Sequence, residues 1–380
     1  MSDGDGQKGH MNQLRAHPLL LLPLLIAWWQ GCGTSQWERG GLTELPAQEE
    51  VAVVRPVGPR SSPEKMTLRP GPLETVQVPS VSPGQASEPV IPAASAWQPL
   101  DYWAGSQGLG SVTAVSTNQF HLSTHWGVFG FAERALYAIF NGWRFHLGYP
   151  IRITNGIPYL HQLDAEKNLR PLITSYERVP RGNGVICIDA GHGGKHTGTK
   201  STLGEFFEKT YSLDWALRLK PLLEQRGWRV VLTRDRDVTM SLPDRIQVAD
   251  QADAALFVSL HFNAAGPGAA GLETYCTTPR GMPSTLTRGY SDPMRASMPN
   301  NPHDRANLHL AARVHSTLLR HVGMGDRGIR RARFMTVIAQ QKRPAVLIEG
   351  GYLSDPEEAR KIATGAYRQK LAEAVAMALH

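Results

Sequence analysis

From Gly184 onward, short apolar runs alternate with amphipathic stretches. Runs such as "VICIDA" and "LFVSL" are apolar at nearly every position, as expected of strands covered on both faces. The pattern predicts strands at 185–189, 228–233, 254–261, 271–276, 332–339 and 345–350. Apolar positions at helical spacing predict helices at 205–226, 241–252, 303–322 and 355–379. This alternation indicates an α/β domain over 184–380, with a mostly parallel mixed sheet flanked by helices.

The segment 97–180 reads differently. Its short alternating runs are separated by "NGW", "LGYP" and "NGIPY", which are turn signals between strands. It predicts a small strand-rich accessory domain. Residues 33–96 are dominated by proline, serine, glutamate and glycine, a composition that cannot bury enough apolar area to offset its ordering entropy. They predict a disordered tether. Ahead of it, Lys8 and Arg15 precede "PLLLLPLLIAWW" (18–29), which has the length of a signal h-region and is too short to span a bilayer. Residues 1–32 therefore read as an export signal.

Composition sharpens this picture in two places. The formal charge is +7 and the isoelectric point about 9.4. Such an excess suits an anionic partner, such as a nucleic acid, a phosphate-rich polymer or an acidic wall. A solvated basic surface explains it equally, since no run of five or six like charges occurs. The three cysteines, Cys32, Cys187 and Cys276, include no CxxC pair, which excludes a cysteine-rich zinc site and a disulfide framework. Cys187 lies inside an apolar strand run and reads as a small core residue. Gly31-Cys32, just after the apolar run, resembles the end of a bacterial lipoprotein signal, whose cysteine becomes a membrane anchor by lipidation. Simple secretion is the alternative.

Candidate chemistry sits at the strand ends. "VICIDAGHGG" delivers His192, "ALFVSLHFNA" delivers His261 and "AVLIEGGYLS" delivers Glu349. In an open parallel sheet the functional site lies outside the carboxyl ends of the strands. Each residue alone reads as an ordinary loop group; three at equivalent edges of one sheet read as a site. Glu205 and Glu208 both fall near a helix start, where the helix dipole favours a carboxylate in any case. Two histidines and a helix-borne glutamate would make the His2Glu set of catalytic zinc centres. The loop "GHGGKHTG" lacks the spacing of a phosphate-binding P-loop. Its glycines instead allow a sharp turn that aims a histidine into a cleft.

The text "IDAGHGG", "GEFFEKTYSL", "VVLTRDRDVTMSLPDRIQVAD", "ALFVSLHFNA", "GLETYC", "GDRGIRRARFMTVI" and "PAVLIEGGYLSDPEEA" resembles the zinc-dependent N-acetylmuramoyl-L-alanine amidases of bacteria. The resemblance spans the domain from about 185 to the C-terminus. It implies that His192, Glu208 and His261 bind one Zn2+ per domain and that Glu349 is the catalytic acid/base. Glu205 is set aside, because Glu208-Lys209 matches the motif and Glu205-Phe206 does not. It further implies peptidoglycan, not nucleic acid, as the polymer acted on. The reaction would be hydrolysis of the amide between the muramic lactyl group and L-alanine. The setting would be the periplasm or cell envelope, with room for an unidentified protein activator. Residues of about 110–175 bear a weaker resemblance to the copper-amine-oxidase N-terminal-like accessory module.

Other residues match without a stated role. Arg234 and Arg245 are expected to orient loops or form internal ion pairs. Asn263 is placed to bond the loop or the substrate, and Glu273 to approach the cleft. His196 reads as a loop residue, and His121, His125, His146 and His161 as surface or packing groups. The polar segment 280–307 is long for a loop inside a compact domain and is expected to flank the cleft. Two other functions stay open: a zinc hydrolase acting on another amide, and a non-catalytic wall-binding protein.

Overall fold

Two asparagine–glycine pairs show how local sequence sets the strand-rich region. β5 (Tyr137–Phe140) and β6 (Trp143–His146) are joined by Asn141-Gly142, whose φ angles are 49° and 85°. Asn155-Gly156, at 51° and 74°, joins β7 (Arg152–Thr154) to β8 (Ile157–His161). Two central residues of positive φ make the turn whose twist matches that of paired strands, and asparagine and glycine adopt it most readily. The rest of this region comprises β1 (Trp97–Pro99), β2 (Val112–Ser116), β3 (Gln119–Thr124) and β4 (Gly127–Ala132). Phe129, Phe131, Phe140 and Phe145 are buried along β4 to β6, with Phe129 and Phe140 stacked at 4.3 Å between ring centroids. Such a pair adds about 1 kcal/mol to the area it buries.

This computed structural model describes residues 96–174, 179 and 181–380. The export signal, Cys32 and the tether up to residue 95 lie outside the described residues. The second half holds β9 (Val185–Ala190), β10 (Arg229–Leu232), β11 (Leu256–Asn263), β12 (Leu272–Cys276), β13 (Asp326–Arg331) and β14 (Ala345–Tyr352). Together with β2 to β6 they form one eleven-stranded sheet, in the order β10-β9-β11-β14-β12-β13-β6-β5-β4-β3-β2. The pairs from β10 to β14 are parallel, β12 runs antiparallel to β14, and β13 is parallel to β12. This is the mixed, mostly parallel sheet that the alternation of elements predicts.

Why β9, β11 and β14 read as unbroken apolar runs is visible in their packing. Ile186 and Ile188 on one face of β9 join a core with Trp215, Leu219 and Leu371 from the helices Glu208–Glu224 and Gly365–Ala378. Val185 and Cys187 on the other face join Ala249, Val337 and Ile338. Both faces are covered, so no position on these strands needs to be polar. Cys187 and Cys276 are buried free thiols.

The accessory strands do not end at an edge of their own. β6 pairs in parallel with β13 through Phe145 and Ile329, and every described residue belongs to one compact unit. Three bonds reinforce the join. The Arg144 amide donates to Asp326 Oδ2 at 2.7 Å, His146 Nε2 donates to the Arg327 carbonyl at 3.0 Å, and Arg331 Nη2 donates to the Lys167 carbonyl at 3.0 Å.

Two expectations from the sequence are corrected. The strand expected at 332–339 lies earlier, at Asp326–Arg331, and Thr336–Ala339 is a single helical turn. The text "DRGIRR" looks too charged for an interior strand, but its arginines find buried partners: Glu273 for Arg327 and Arg330, and carbonyls for Arg331. The apolar "TVIA" packs its Val337, Ile338 and Ala339 inward as a helix. The helix expected at 355–379 is two, Pro356–Ala363 and Gly365–Ala378. Thr364 breaks it by capping the second: its Oγ1 accepts from the Tyr367 amide at 3.2 Å.

Candidate active site

β9 ends at Ala190, and the chain turns at Gly191 to present His192. Gly191 is required by its neighbour: a Cβ there would stand 2.4 Å from His261 Cε1. Gly198, with φ +69°, passes just as close to the site, where a Cβ would stand 2.6 Å from Glu208 Oε2. The glycines of this loop thus allow close approach of the backbone as well as a sharp turn. His192 itself is held at φ 61°, a conformation uncommon outside glycine that the surrounding bonds must enforce. Arg234 and Arg245 do so. Arg234 Nη2 donates to the Gly191 carbonyl and Arg245 Nη2 to the His192 carbonyl, while both arginines also bond the Ala190 carbonyl. Both are buried, and each holds the loop in place, as expected of them.

Asp189 anchors Arg245 in turn. Its carboxylate accepts from Arg245 Nη1 at 2.6 Å, Ser259 Oγ at 2.6 Å and Thr233 Oγ1 at 2.7 Å. Burial would raise its pKa, but Arg245 and the two hydroxyls outweigh burial and hold it below the usual range.

Glu208 opens the helix Glu208–Glu224 and is buried. Its Oε2 accepts from the Thr199 amide at 2.9 Å and its Oε1 from the Phe262 amide at 3.1 Å. The two imidazoles complete its surroundings. His192 Nε2 lies 3.0 Å from Oε2, and His261 Nδ1 lies 2.8 Å from Oε1. Burial pushes the carboxyl up, but the bonds from His192 and His261 win and hold it well below the ordinary carboxylate range. Glu205, the alternative helix-start carboxylate, is exposed and pairs with Lys200. The donor atoms of His192, Glu208 and His261 all lie within 4.8 Å of one another, so a single ion could meet all three.

Glu349 stands beside this trio. It pairs with His261 in the parallel register of β11 and β14 and is almost fully buried. Its Oε2 is a buried acceptor with no hydrogen-bond partner. Burial and the nearby negative charge of Glu208 push its pKa well above the usual range, with Arg288 opposing. A buried, unpaired carboxylate oxygen costs stability unless something else serves it. A bound cation and its water would serve it, so the residues present fit a metal centre.

The other sequence candidates take supporting positions. Asn263 donates to Glu273 Oε2 at 2.8 Å and accepts from Arg288 Nη2 at 2.9 Å. Glu273 is buried among four donors and does not reach the cleft as a free carboxylate. His196 lines a cavity of about 600 Å3 together with His192 and His261, but offers no atom to the trio. Among the described residues no metal-binding cluster includes His121, His125, His146 or His161.

Two further contributors are given no role by the sequence. Lys209, next to Glu208, bonds the Gly194 carbonyl at 3.0 Å and Asp237 at 2.6 Å, tying the helix start to the histidine loop. Its place in the "EK" pair was the signal available. Arg288 comes from the segment 280–307, where nothing in the local text marks it out.

Residues 186–380 match the family model described as N-acetylmuramoyl-L-alanine amidase. The sporulation-specific N-acetylmuramoyl-L-alanine amidase of Bacillus subtilis is 31% identical over 49% of this chain and 63% of its own length. N-acetylmuramoyl-L-alanine amidase AmiA of Escherichia coli is 30% identical over 51% of this chain and 74% of its own. Among solved structures, the catalytic domain of CwlV, an amidase of the same name from Bacillus (Paenibacillus) polymyxa var. colistinus, is 30% identical. It covers 51% of this chain and 95% of that one, with a TM-score of 0.43. The chain spans less than two thirds of the sporulation-specific relative and 34% of another, LytC of Bacillus subtilis. The family model covers half of the chain, and this protein belongs to the N-acetylmuramoyl-L-alanine amidase family.

Proposed function

We propose that the protein hydrolyses the amide between N-acetylmuramic acid and L-alanine in peptidoglycan, and that it does so with one zinc ion held by His192, Glu208 and His261. Two neutral imidazoles and a carboxylate are a donor set that zinc takes in hydrolases. When bound, zinc supplies Lewis-acid polarisation of the amide carbonyl and eases the ionisation of water. The chain's own residues supply the rest. Glu208 is oriented as a ligand between the two imidazoles by the backbone amides of Thr199 and Phe262. Arg234 and Arg245 hold the backbone that carries His192. Glu349 takes the proton from the attacking water and returns it to the departing alanine nitrogen. One carbon–oxygen bond forms and one carbon–nitrogen bond breaks. The lactyl carboxyl and the free amine of the peptide are released.

The observation that carries this reading is the unpartnered, buried Oε2 of Glu349 next to three converging donors. The basic charge of the chain and the export signal read at residues 18–29 support action on an acidic wall outside the cytoplasm. The periplasm or cell envelope is the setting, and lipidation at Cys32 would tether the enzyme there. Metal analysis of the purified chain, paired with mass spectrometry of digested sacculi, tests the whole. One zinc per chain and glycan strands freed of stem peptides are expected. Cleavage inside the peptide, or no cleavage by zinc-loaded protein, would overturn it.

A further inference from the structure

A second cavity, of about 340 Å3, borders the same site and shares none of its lining with the larger one. Asn263, two residues beyond His261 on β11, lines it. So does Glu273, which faces Glu349 in the register of β12 and β14. The two cavities differ in chemistry. The larger is walled by Met240, Leu242, Phe334 and Val337, beside the histidines. The smaller is walled by three guanidinium groups, from Arg288, Arg327 and Arg330, against the single carboxylate of Glu273.

That carboxylate is already satisfied. It accepts from Arg327 Nε at 3.0 Å, Arg330 Nε at 2.8 Å, Asn263 Nδ2 at 2.8 Å and Tyr275 Oη at 2.8 Å. The bonds to Arg327 and Arg330 use their Nε atoms and draw both guanidinium groups to one carboxylate oxygen. Arg288 is fixed separately. It is held at φ 48° within the segment 280–307, and its Nη2 bonds Asn263. One buried acceptor thus organises two arginines, a third comes from the long loop, and the cavity keeps a surplus of two positive charges.

We propose that this cavity is an anion subsite, which takes a carboxylate of the peptide on the amine side of the scissile bond and so decides which way round the substrate lies. The proposal rests on the amidase reading above. Planar, preorganised guanidinium groups match a carboxylate through paired hydrogen bonds. The glycan side of the substrate has sugar faces and a lactyl methyl but few charges, and it suits the larger, apolar cavity. The peptide side carries the free carboxylates.

Two synthetic muramyl tripeptides test this, identical except that the second residue is D-glutamate in one and D-isoglutamine in the other. The zinc-loaded full chain is expected to cleave the acid at least about tenfold better in kcat/KM, which corresponds to about 1.4 kcal/mol. In Arg288→Gln combined with Arg327→Gln that ratio should fall toward one, while Arg288→Lys should keep part of it. Calorimetric binding of both substrates to the Glu349→Gln protein supplies a reading independent of turnover. Equal cleavage of the two by the unaltered protein, or an equal loss on both in the arginine variants, would overturn the subsite. If neither is cut, the amidase reading falls instead. Binding then decides the subsite: preference for the acid upholds it and equal binding refutes it. Should the double variant not fold, the unaltered ratio and Arg288→Lys decide alone.

Discussion

His261 and Glu349 occupy paired positions on two neighbouring parallel strands, β11 and β14. Paired residues on adjacent strands point to the same face of a sheet. One of them completes a set of three donors with His192 and Glu208; the other carries a buried oxygen with nothing to bond. This adjacency sets what each variant of the site should do.

Glu349→Gln should leave the donor set intact and remove the proton carrier. Zinc content should stay at one per chain while turnover of muropeptides falls by about 10²–10⁴. Metal analysis and chromatography of the products check both halves. Turnover that persists would remove Glu349 from the acid/base role.

Glu208→Ala should remove the metal and also destabilise the fold. The amides of Thr199 and Phe262 lose their acceptor, a cost of about 1–3 kcal/mol. Zinc content should fall to near zero, and a chelator, expected to lower the Tm of the unaltered protein, should leave that of the variant unchanged. Glu205→Ala is the contrast. Its carboxylate is exposed and pairs only with Lys200, so metal content should be unchanged and stability should move by less than about 1 kcal/mol.

Gly191→Ala tests the close approach of backbone to imidazole. The added methyl would meet His261 Cε1 at 2.4 Å, so the ring or the loop that carries His192 must shift, and the three donors no longer converge as they do here. Zinc affinity measured by competition with a chromogenic chelator should fall at least tenfold, with far-ultraviolet circular dichroism unchanged. Unaltered affinity would show that the ring has room to shift without leaving the set.

Acid should weaken the join between β6 and β13 through His146. Burial, with Arg330 nearby, lowers its pKa to about 4 from an ordinary value near 6.5. The unfolded chain therefore binds the extra proton first, and this contribution to stability is complete above about 6.5 and lost as pH falls toward about 4. The shift corresponds to roughly 3 kcal/mol at most, and about 2 after allowing for the partial exposure of the ring. Urea unfolding at several pH values should show His146→Gln with a shallower acid slope than the unaltered protein. Parallel slopes would mean that the ring is not held neutral in the fold.

Much of this was legible in short windows of text. Asn-Gly pairs announce tight hairpins, since few residues adopt positive φ without strain. An ionisable residue after an apolar run announces a strand end at a functional edge, which is how His192, His261 and Glu349 are visible. The choice of Glu208 over Glu205 came from the family motif, because helix-dipole arguments favour both equally. The fold supplies the physical difference: the Thr199 and Phe262 amides aim at Glu208, whereas Glu205 is exposed and pairs with Lys200.

"DRGIRR" forms β13 because Glu273 on β12 and carbonyls elsewhere pair with its arginines, partners far away along the chain. Arg288 was hidden for the same reason: its loop is polar throughout, and only folding brings it against Asn263.

The sequence by itself determined the alternation of strands and helices, the hairpin turns and the ionisable groups at the strand ends. These depend on backbone preference and on burial of apolar side chains, which neighbours within a few residues reveal. Only the tertiary structure decided that the accessory strands extend the main sheet, that Glu208 sits between two imidazoles and that three arginines share one cavity. Those outcomes depend on Coulomb forces and hydrogen bonds between residues far apart in the chain, and no local window contains both partners.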